Sequence, residues 1–244
     1  MHGLRKVILG CAVASLALVS LGAAPAAAAD TTGTLVIVQG RPGVNVDICI
    51  GSKEQRSNKA FGSVYEKDVI GTGARLLRFF KYNPNKKCGG TLIAKKVLHI
   101  TPGWDQTIVL TKFNPKIVMF DNTSPYLGEI PPRGASIASA ALFAWVNAAD
   151  FTTNFHYTYW SPNPELPIGP AVNPVWAKGA RLATSFPDDY YMRIRATLPE
   201  QADTVAQRAA YLKESRRYEF VLVGTNPNNA RFMLINRGVS APSP

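Results

Sequence analysis

The sequence is poor in the side chains on which most catalytic and metal sites depend. Its 244 residues include three histidines and three cysteines, and 16 acidic residues face 27 basic ones. It contains no G-x-S-x-G nucleophile turn and no C-x-x-C pair. These shortages disfavour a Ser–His–Asp hydrolase and a transition-metal centre. We therefore expect no catalytic residue, no cofactor and no metal site.

Long apolar runs are missing from the chain except near its start. Arg5 and Lys6 precede the apolar stretch Val7–Ala23, and small residues follow up to Ala29. This order is typical of a cleaved export signal, which we predict over residues 1–29. A membrane anchor is the alternative, but the run is short for a bilayer-spanning helix. Cys11 lies too early in the run for a lipoprotein signal. The mature product is therefore expected at the cell surface, in the periplasm or outside the cell.

The charge balance is strongly basic even after the signal is removed. Arg5 and Lys6 leave with the signal, so the mature formal charge is 25 − 16 = +9. Such a charge favours anionic partners, among them cell-wall polymers, anionic lipid head groups and nucleic acid. The alternative is that short, scattered basic pairs such as Lys86-Lys87 serve only solubility.

Two cysteines, Cys49 and Cys88, follow the predicted signal. In an exported chain such a pair is typical of one structural disulfide. It would close a loop of about 40 residues, which stabilises the fold by about 4 kcal/mol in the chain-entropy model. A reactive or metal-binding thiol pair is the alternative, but no histidine lies close to either cysteine in the sequence.

A sequence phrase recurs after about 110 residues. "TIVLTKFNPKIVMFDN" (107–122) resembles "EFVLVGTNPNNARFMLINR" (219–237) at an offset of 112, which becomes 114 if two residues are inserted near Asn228. That alignment places Met119 on Met233. "LVIVQG" (35–40) also resembles "FAWVNA" (143–148) at an offset of 108. We interpret these matches as a duplicated domain.

Each copy shows short β-branched runs separated by Asn, Pro and Gly. Such runs without intervening helices predict an all-β fold of two tandem antiparallel β-sandwich domains. Residues 30–122 form the first predicted domain and residues 141–238 the second. The Pro/Gly-rich segment 123–140 is the predicted linker, and residues 239–244 are a predicted disordered tail.

One segment sets the repeat against local propensity. Residues 200–215, "EQADTVAQRAAYLKES", are helical in composition, yet at offset 112 they overlie "CGGTLIAKKVLHITPG", which is strand-like. Because tertiary context overrides a weak local preference, we predict a strand from Thr204 to Leu212. The same alignment pairs Tyr218 with Gln106. The Tyr218 side chain could fold back and hydrogen-bond the backbone just upstream, whereas Gln106 could only approximate that contact.

The first copy also resembles a known family. The pattern "VIVQGRPGVNVDICIG…FGSVYEKDVIGTGARLLRFF…CGGTLIAKKVLHITPGWDQTIVLT" is similar to the bacterial exported domain of unknown function 4397. The similarity covers Thr34–Asn122 and is weaker over Leu142–Asn236, where both cysteines are missing. It implies Ig-like sandwiches, often in tandem or attached to surface proteins, and it transfers no catalytic residue.

The most suggestive stretch for binding is "FTTNFHYTYWSPNPELP" (151–167). Aromatic and polar residues alternate in it, so one set faces the core while His156, Thr158 and Trp160 form a candidate binding surface. An exposed aromatic ring beside polar groups suits a sugar or a partner protein. The alternative is that both sets are packed.

The expected function follows from these features. We predict a non-enzymatic module that binds an anionic envelope polymer, a carbohydrate or a surface protein. The alternatives are a hydrolase of cell-wall or polysaccharide material, with its cleft between the two units, and a structural spacer or assembly subunit.

Overall fold

The computed structural model describes residues 32–70, 73–100, 105–121, 140–160, 171–187, 190–213 and 216–236. The predicted signal (1–29), residues 123–139 of the predicted linker and the predicted tail (239–244) lie outside them. The described residues form strands, one 3-10 turn at Pro227–Asn229 and no α-helix, so the all-β prediction is confirmed. The strands are β1 (Thr32–Gln39), β2 (Val46–Ile50), β3 (Lys53–Lys59), β4 (Val64–Ile70), β5 (Gly73–Lys81), β6 (Leu92–Ile100), β7 (Asp105–Leu110), β8 (Ile117–Asp121), β9 (Ala140–Asn147), β10 (Thr153–Trp160), β11 (Ala171–Trp176), β12 (Arg181–Pro187), β13 (Tyr190–Thr197), β14 (Thr204–Leu212), β15 (Arg217–Val223) and β16 (Arg231–Asn236).

The strands form four four-stranded sheets. Sheet I has the order β4-β1-β7-β8 and sheet II the order β3-β2-β5-β6. Sheet III has the order β12-β9-β15-β16 and sheet IV the order β11-β10-β13-β14. The last eight strands thus follow the order of the first eight. Neighbouring strands are antiparallel except for the parallel pairs β1–β7 and β9–β15.

The strand order differs from that of an immunoglobulin domain. In that fold the first and second strands lie side by side in one sheet. Here β1 lies between β4 and β7, while β2 lies in the other sheet between β3 and β5. This topology therefore does not have the strand order of the Ig-like fold that the family resemblance implies. Short strand patterns predict the fold class, but they do not predict which strands become neighbours.

Two hydrophobic cores fill the spaces between paired sheets. The first lies between sheets I and II and the second between sheets III and IV. The largest buried side chains of the first core are Leu35, Ile37, Ile48, Leu77, Phe79, Leu98, Ile108 and Leu110. Those of the second are Trp145, Phe155 and Phe220. Each pair of sheets is thus a β-sandwich with its own core.

A third core lies between sheets I and III. Along each strand, the side chains of the third core alternate with those of the first or second core. The central strands of sheets I and III are therefore apolar on both faces. The members are Val36, Val38, Val109, Val118 and Phe120 from the first half, and Val146, Ala148, Val221, Val223 and Ile235 from the second. The sheets therefore stack in four layers, in the order II, I, III, IV.

Equivalent positions of the two halves meet in this third core. Thr107 of β7 and Glu219 of β15 are both buried, and the Thr107 hydroxyl donates a short hydrogen bond to the Glu219 carboxylate. The two residues are 112 positions apart, which is the offset of the sequence match. The interface thus has the self-complementary character of a two-fold contact.

A polar clasp closes one end of the interface. The Lys178 ammonium lies 2.5 Å from the Asp150 carboxylate and also donates to the Thr111 hydroxyl and the Phe113 carbonyl, each at 2.8 Å. The Asp150 carboxylate accepts the Lys112 amide at 3.1 Å as well. Its side chain is 1% exposed and that of Lys178 12%, so this charge pair is largely desolvated.

We expect Lys178→Met to lower the free energy of unfolding by about 2 kcal/mol, because it leaves the Asp150 charge buried with backbone donors alone. Urea denaturation measures the change. Lys53→Met, at an exposed lysine of β3, is the matched control and should stay within about 0.5 kcal/mol of the wild type. Equal losses for the two variants would contradict the assigned role of the clasp.

The predicted disulfide is present in the first half. Cys49 and Cys88 are bonded, with their Cα atoms 6.0 Å apart. Cys49 alternates on β2 with side chains of the first core and does not belong to that core, yet it is fully buried. Asp47 lies on the same face and is also buried, and its carboxylate accepts hydrogen bonds from the Ser57 hydroxyl and the Asn58 amide of β3.

The segment with helical composition is a strand with the predicted bounds, Thr204–Leu212. β6 and β14 have nearly the same burial pattern, with Ile100 and Leu212 buried at their ends. The Lys213 amide donates to the Tyr218 hydroxyl at 2.9 Å, and the Gln106 amide side chain donates to the His99 carbonyl at 3.0 Å. The back-contact of Tyr218 is therefore present, and Gln106 forms a similar side-chain bond to the backbone upstream of it.

The pairing of Met119 with Met233 is wrong. Strand registers place Val109 opposite Val118 and Val221 opposite Met233, so Val118 is the counterpart of Met233 and the loop insertion is three residues, not two. Met119 accordingly packs against the first core, whereas Met233 packs against the third. A shift of one residue moves a side chain to the other face of a strand.

Candidate binding surface

The candidate residues His156, Thr158 and Trp160 lie on β10, an inner strand of sheet IV. Phe155, of the opposite parity, is fully buried in the second core, so the candidate set is on the outer face. His156 and Thr158 are half-buried, and His156 Nε2 lies 3.1 Å from the Thr197 hydroxyl. The Trp160 backbone pairs with Tyr191, and its side chain lies outside the described part.

The register of sheet IV extends this face across two more strands. On β13, the residues opposite His156, Thr158 and Trp160 are Arg195, Arg193 and Tyr191, in that order. On β14, the residues opposite those three are Gln207, Ala209 and Tyr211. Residues directly opposite each other in a sheet share a face. The surface therefore consists of three residues from each of the neighbouring strands β10, β13 and β14. The sequence pattern predicts only the three on β10.

Two exposed tyrosines mark one end of this surface. Tyr191 is 45% exposed and Tyr211 43%, and their ring centroids lie 4.7 Å apart with an interplanar angle of 46°. Paired rings at this distance stabilise each other while keeping part of each face open to solvent. Such a pair offers exposed aromatic surface against which a sugar ring can pack.

The described strands of this surface carry basic side chains. Arg193 is exposed and Arg195 half-buried. The sequences of β10, β13 and β14 contain no aspartate or glutamate. We call Tyr191, Arg193, Arg195 and Tyr211 the Tyr–Arg face. Its chemistry combines stacking with attraction for anions.

A cleft of about 480 Å³ continues this surface at the sheet edge. Ala209 and Tyr211 line the cleft and belong to the outer face as well. Lys213 and Arg216 add two cationic side chains to its wall. The hydrogen bond from the Lys213 amide to the Tyr218 hydroxyl fixes the turn that carries them. The cationic surface therefore extends from an open sheet face into a concave edge.

The corresponding face of the first half has another chemistry. On sheet II, Ala74, Leu76 and Arg78 of β5 lie opposite His99, Val97 and Lys95 of β6. Leu76 and Val97 are exposed, and neither strand places an aromatic side chain in these rows. Since the two sheets share one strand order, the tyrosine pair and Arg193 are features of the sequence and not requirements of the scaffold.

The two histidines of the described residues are not brought together. His99 lies on β6 of sheet II and His156 on β10 of sheet IV, at opposite outer layers of the molecule. The described residues contain no group of three or more His, Cys, Asp or Glu side chains that could hold a metal ion. The described face between the two halves, where a cleft was considered, is the packed third core.

Among the described residues, no helix has the length and apolar character needed to cross a bilayer. Comparison with models of known protein families gives no match, and no curated protein matches the chain significantly.

Proposed function

We propose that this protein is an exported, non-enzymatic binding module that holds an acidic carbohydrate polymer of the cell envelope on the Tyr–Arg face. The observation that carries the proposal is the exposed tyrosine pair beside Arg193 and Arg195 on the outer face of sheet IV. Stacking and ion attraction together select a ligand that has both ring faces and negative charge, as a polyuronic acid does.

The proposal includes a tandem duplication. The two sets of eight strands have the same order, and Val38–Val109 and Val146–Val221 are equivalent pairs at offsets of 108 and 112. After such a duplication, one copy can keep the disulfide while the other acquires a binding face. Membership in the domain of unknown function 4397 family and bacterial export are part of the same proposal, and rest on the sequence patterns of the first copy and of residues 1–29.

We expect Tyr191→Ala/Tyr211→Ala to bind alginate, a linear polyuronic acid, at least about tenfold more weakly than the wild type. Each ring contributes about 0.5–1.5 kcal/mol in aromatic contacts, and 1.4 kcal/mol is a factor of ten. Calorimetric titration measures the affinity, with neutral dextran as the ligand control. Arg193→Gln should weaken alginate binding and make it less sensitive to salt.

Phe113→Ala is the matched control, since Phe113 is an aromatic residue of the first half and 53% exposed. It should leave alginate affinity unchanged. Trp160→Ala, tested in the same titration and in recovery of the protein on its own cell envelope, shows whether the predicted residue belongs to the site. Unchanged alginate affinity in the double tyrosine variant would contradict the proposal. Release of new reducing ends from the polymer would favour the hydrolase instead.

A further inference from the structure

A second cationic groove lies on the first half, far along the chain from the Tyr–Arg face. It has a volume of about 380 Å³ and opens at the edge where sheets I and II meet. Arg41 enters it from the β1–β2 turn, Lys81 from the end of β5 and Lys116 from the start of β8. Three cations therefore converge from three separate segments of the fold.

Each of the three basic residues is held in place by a hydrogen bond of its own main chain. The Arg41 amide donates to the Gln39 side chain at 3.0 Å, and Gln39 is fully buried. The Lys81 amide donates to the Thr91 carbonyl at 2.8 Å, and the Lys116 carbonyl accepts the Thr111 amide at 2.8 Å. The points from which the three side chains extend are thus fixed before any ligand arrives, which lowers the ordering cost of binding.

The positive charge of the groove is not offset within the described part of the chain, where none of the three cations forms an ion pair with a carboxylate. Like charges around one concavity raise its potential and concentrate anions there. The position two residues beyond β9, which corresponds to Arg41 beyond β1, is Ala149. The scaffold can therefore form this turn without a cation.

The apolar part of the wall limits what the anion can be attached to. Val44 is half-buried and Leu92 is 44% exposed, and Thr91 adds a hydroxyl beside them. A planar carboxylate is satisfied by one forked guanidinium, whereas a tetrahedral phosphate offers oxygens to donors from several directions. The concave shape and the small apolar rim suit a phosphate group on a slim chain better than a flat membrane surface.

We propose that the groove formed by Arg41, Lys81 and Lys116 is a binding site for the phosphate group of a phosphodiester-linked envelope polymer. The site is independent of the Tyr–Arg face, and the two would give the protein two contacts with the envelope. Two linked contacts raise the overall affinity through effective concentration.

The test is a titration of the purified, isotope-labelled protein with glycerol phosphate, followed by the amide resonances of Gly43, Thr91 and Lys116. We expect saturable shifts of these amides in the wild type. Lys81→Gln/Lys116→Gln should weaken the apparent affinity at least about tenfold. Lys53→Gln/Lys96→Gln removes the same charge from exposed positions of the first half outside the groove, and should behave as the wild type.

Four comparisons decide between explanations. Equal weakening in the two lysine double variants overturns the site, because it reports net charge alone. Equal binding of acetate overturns the choice of phosphate, and binding to phosphatidylglycerol vesicles without response to glycerol phosphate overturns the polymer in favour of a membrane. Tyr191→Ala/Tyr211→Ala should keep the glycerol phosphate shifts, so failure of this site and failure of the Tyr–Arg face give different results.

Discussion

A Val221→Asp variant is expected to lose about 4 kcal/mol of unfolding free energy and to separate the two halves of the molecule. Val221 is fully buried in the third core, between sheets I and III. The new carboxylate would lie in an apolar layer, and a buried charge without a partner costs about 3–5 kcal/mol. Separation relieves this cost, because it returns the carboxylate to water.

Separation should precede unfolding because each half has a core of its own. Phe220 and Leu222, the neighbours of Val221, belong to the second core. On β7 of the first half, Ile108 belongs to the first core in the same way. Neither core loses a side chain in the variant. We therefore expect a larger radius of gyration in X-ray scattering while the strands of both sandwiches stay protected from hydrogen exchange.

Val97→Asp is the matched control for this variant. Val97 is 49% exposed on the outer face of sheet II, so the same substitution should change stability by no more than about 0.5 kcal/mol. An unchanged radius of gyration and stability in Val221→Asp would contradict the third core. Loss of protection throughout both sandwiches would instead show that neither half is stable without the other.

The carboxyl group already present in this interface shows why position matters. Glu219 is buried two residues before Val221, where the Thr107 hydroxyl meets it across the interface. The residue that corresponds to Val221 in sheet I is Val109, which has no donor in its side chain. A carboxylate is therefore tolerated at one position of the layer and not at the other.

The strands of the fold were predictable where the pattern was repeated. β14 has helical composition, and its assignment as a strand followed from its alignment with β6, a relation that local propensity does not contain. The neighbours of each strand were not predictable in this way. Whether β1 lies beside β2 or beside β7 depends on pairings between residues distant in the chain, and short alternating patterns do not encode them.

The third core was missed although the sequence contains its signal. Leu35–Val38 and Ile108–Leu110 are buried without interruption, so both faces of these strands are apolar. A strand covered on one face alternates, whereas an uninterrupted run indicates burial on both faces. The runs that align the two copies therefore also indicate that the second face of these strands is covered.

Only one of the three strands that form the candidate surface, β10, was predictable from the sequence. Alternation on β10 identifies which of its residues face outward, since Phe155 and His156 must lie on opposite faces. The residues on β13 and β14 come from the register that sets Arg193 beside Thr158 and Tyr211 beside Tyr191. Nothing in the spacing of "YYMRIRAT" and "TVAQRAAYL" reveals that register.

The second large effect is expected from Cys49→Ala/Cys88→Ala, which should lower the unfolding free energy of the first half by about 4 kcal/mol. The bridge spans a sequence separation of 39 residues that includes β3, β4 and β5. Without it the unfolded chain gains the conformations that the closed loop forbids. The second half has no cysteine, so its own sandwich is untouched by the substitution.

The distribution of the loss distinguishes a local constraint from a global one. Hydrogen exchange should quicken in β2, β3 and β5, while β10 and β13 keep their protection, because the two sandwiches have separate cores. The control is a chemical reductant, which should reproduce the loss in the wild type and leave the double alanine variant unchanged. Coincident denaturation curves for oxidised and reduced wild type would contradict the prediction. Equal loss of protection in both halves would mean that the third core couples them into one cooperative unit, and the Val221→Asp variant should then unfold as a whole.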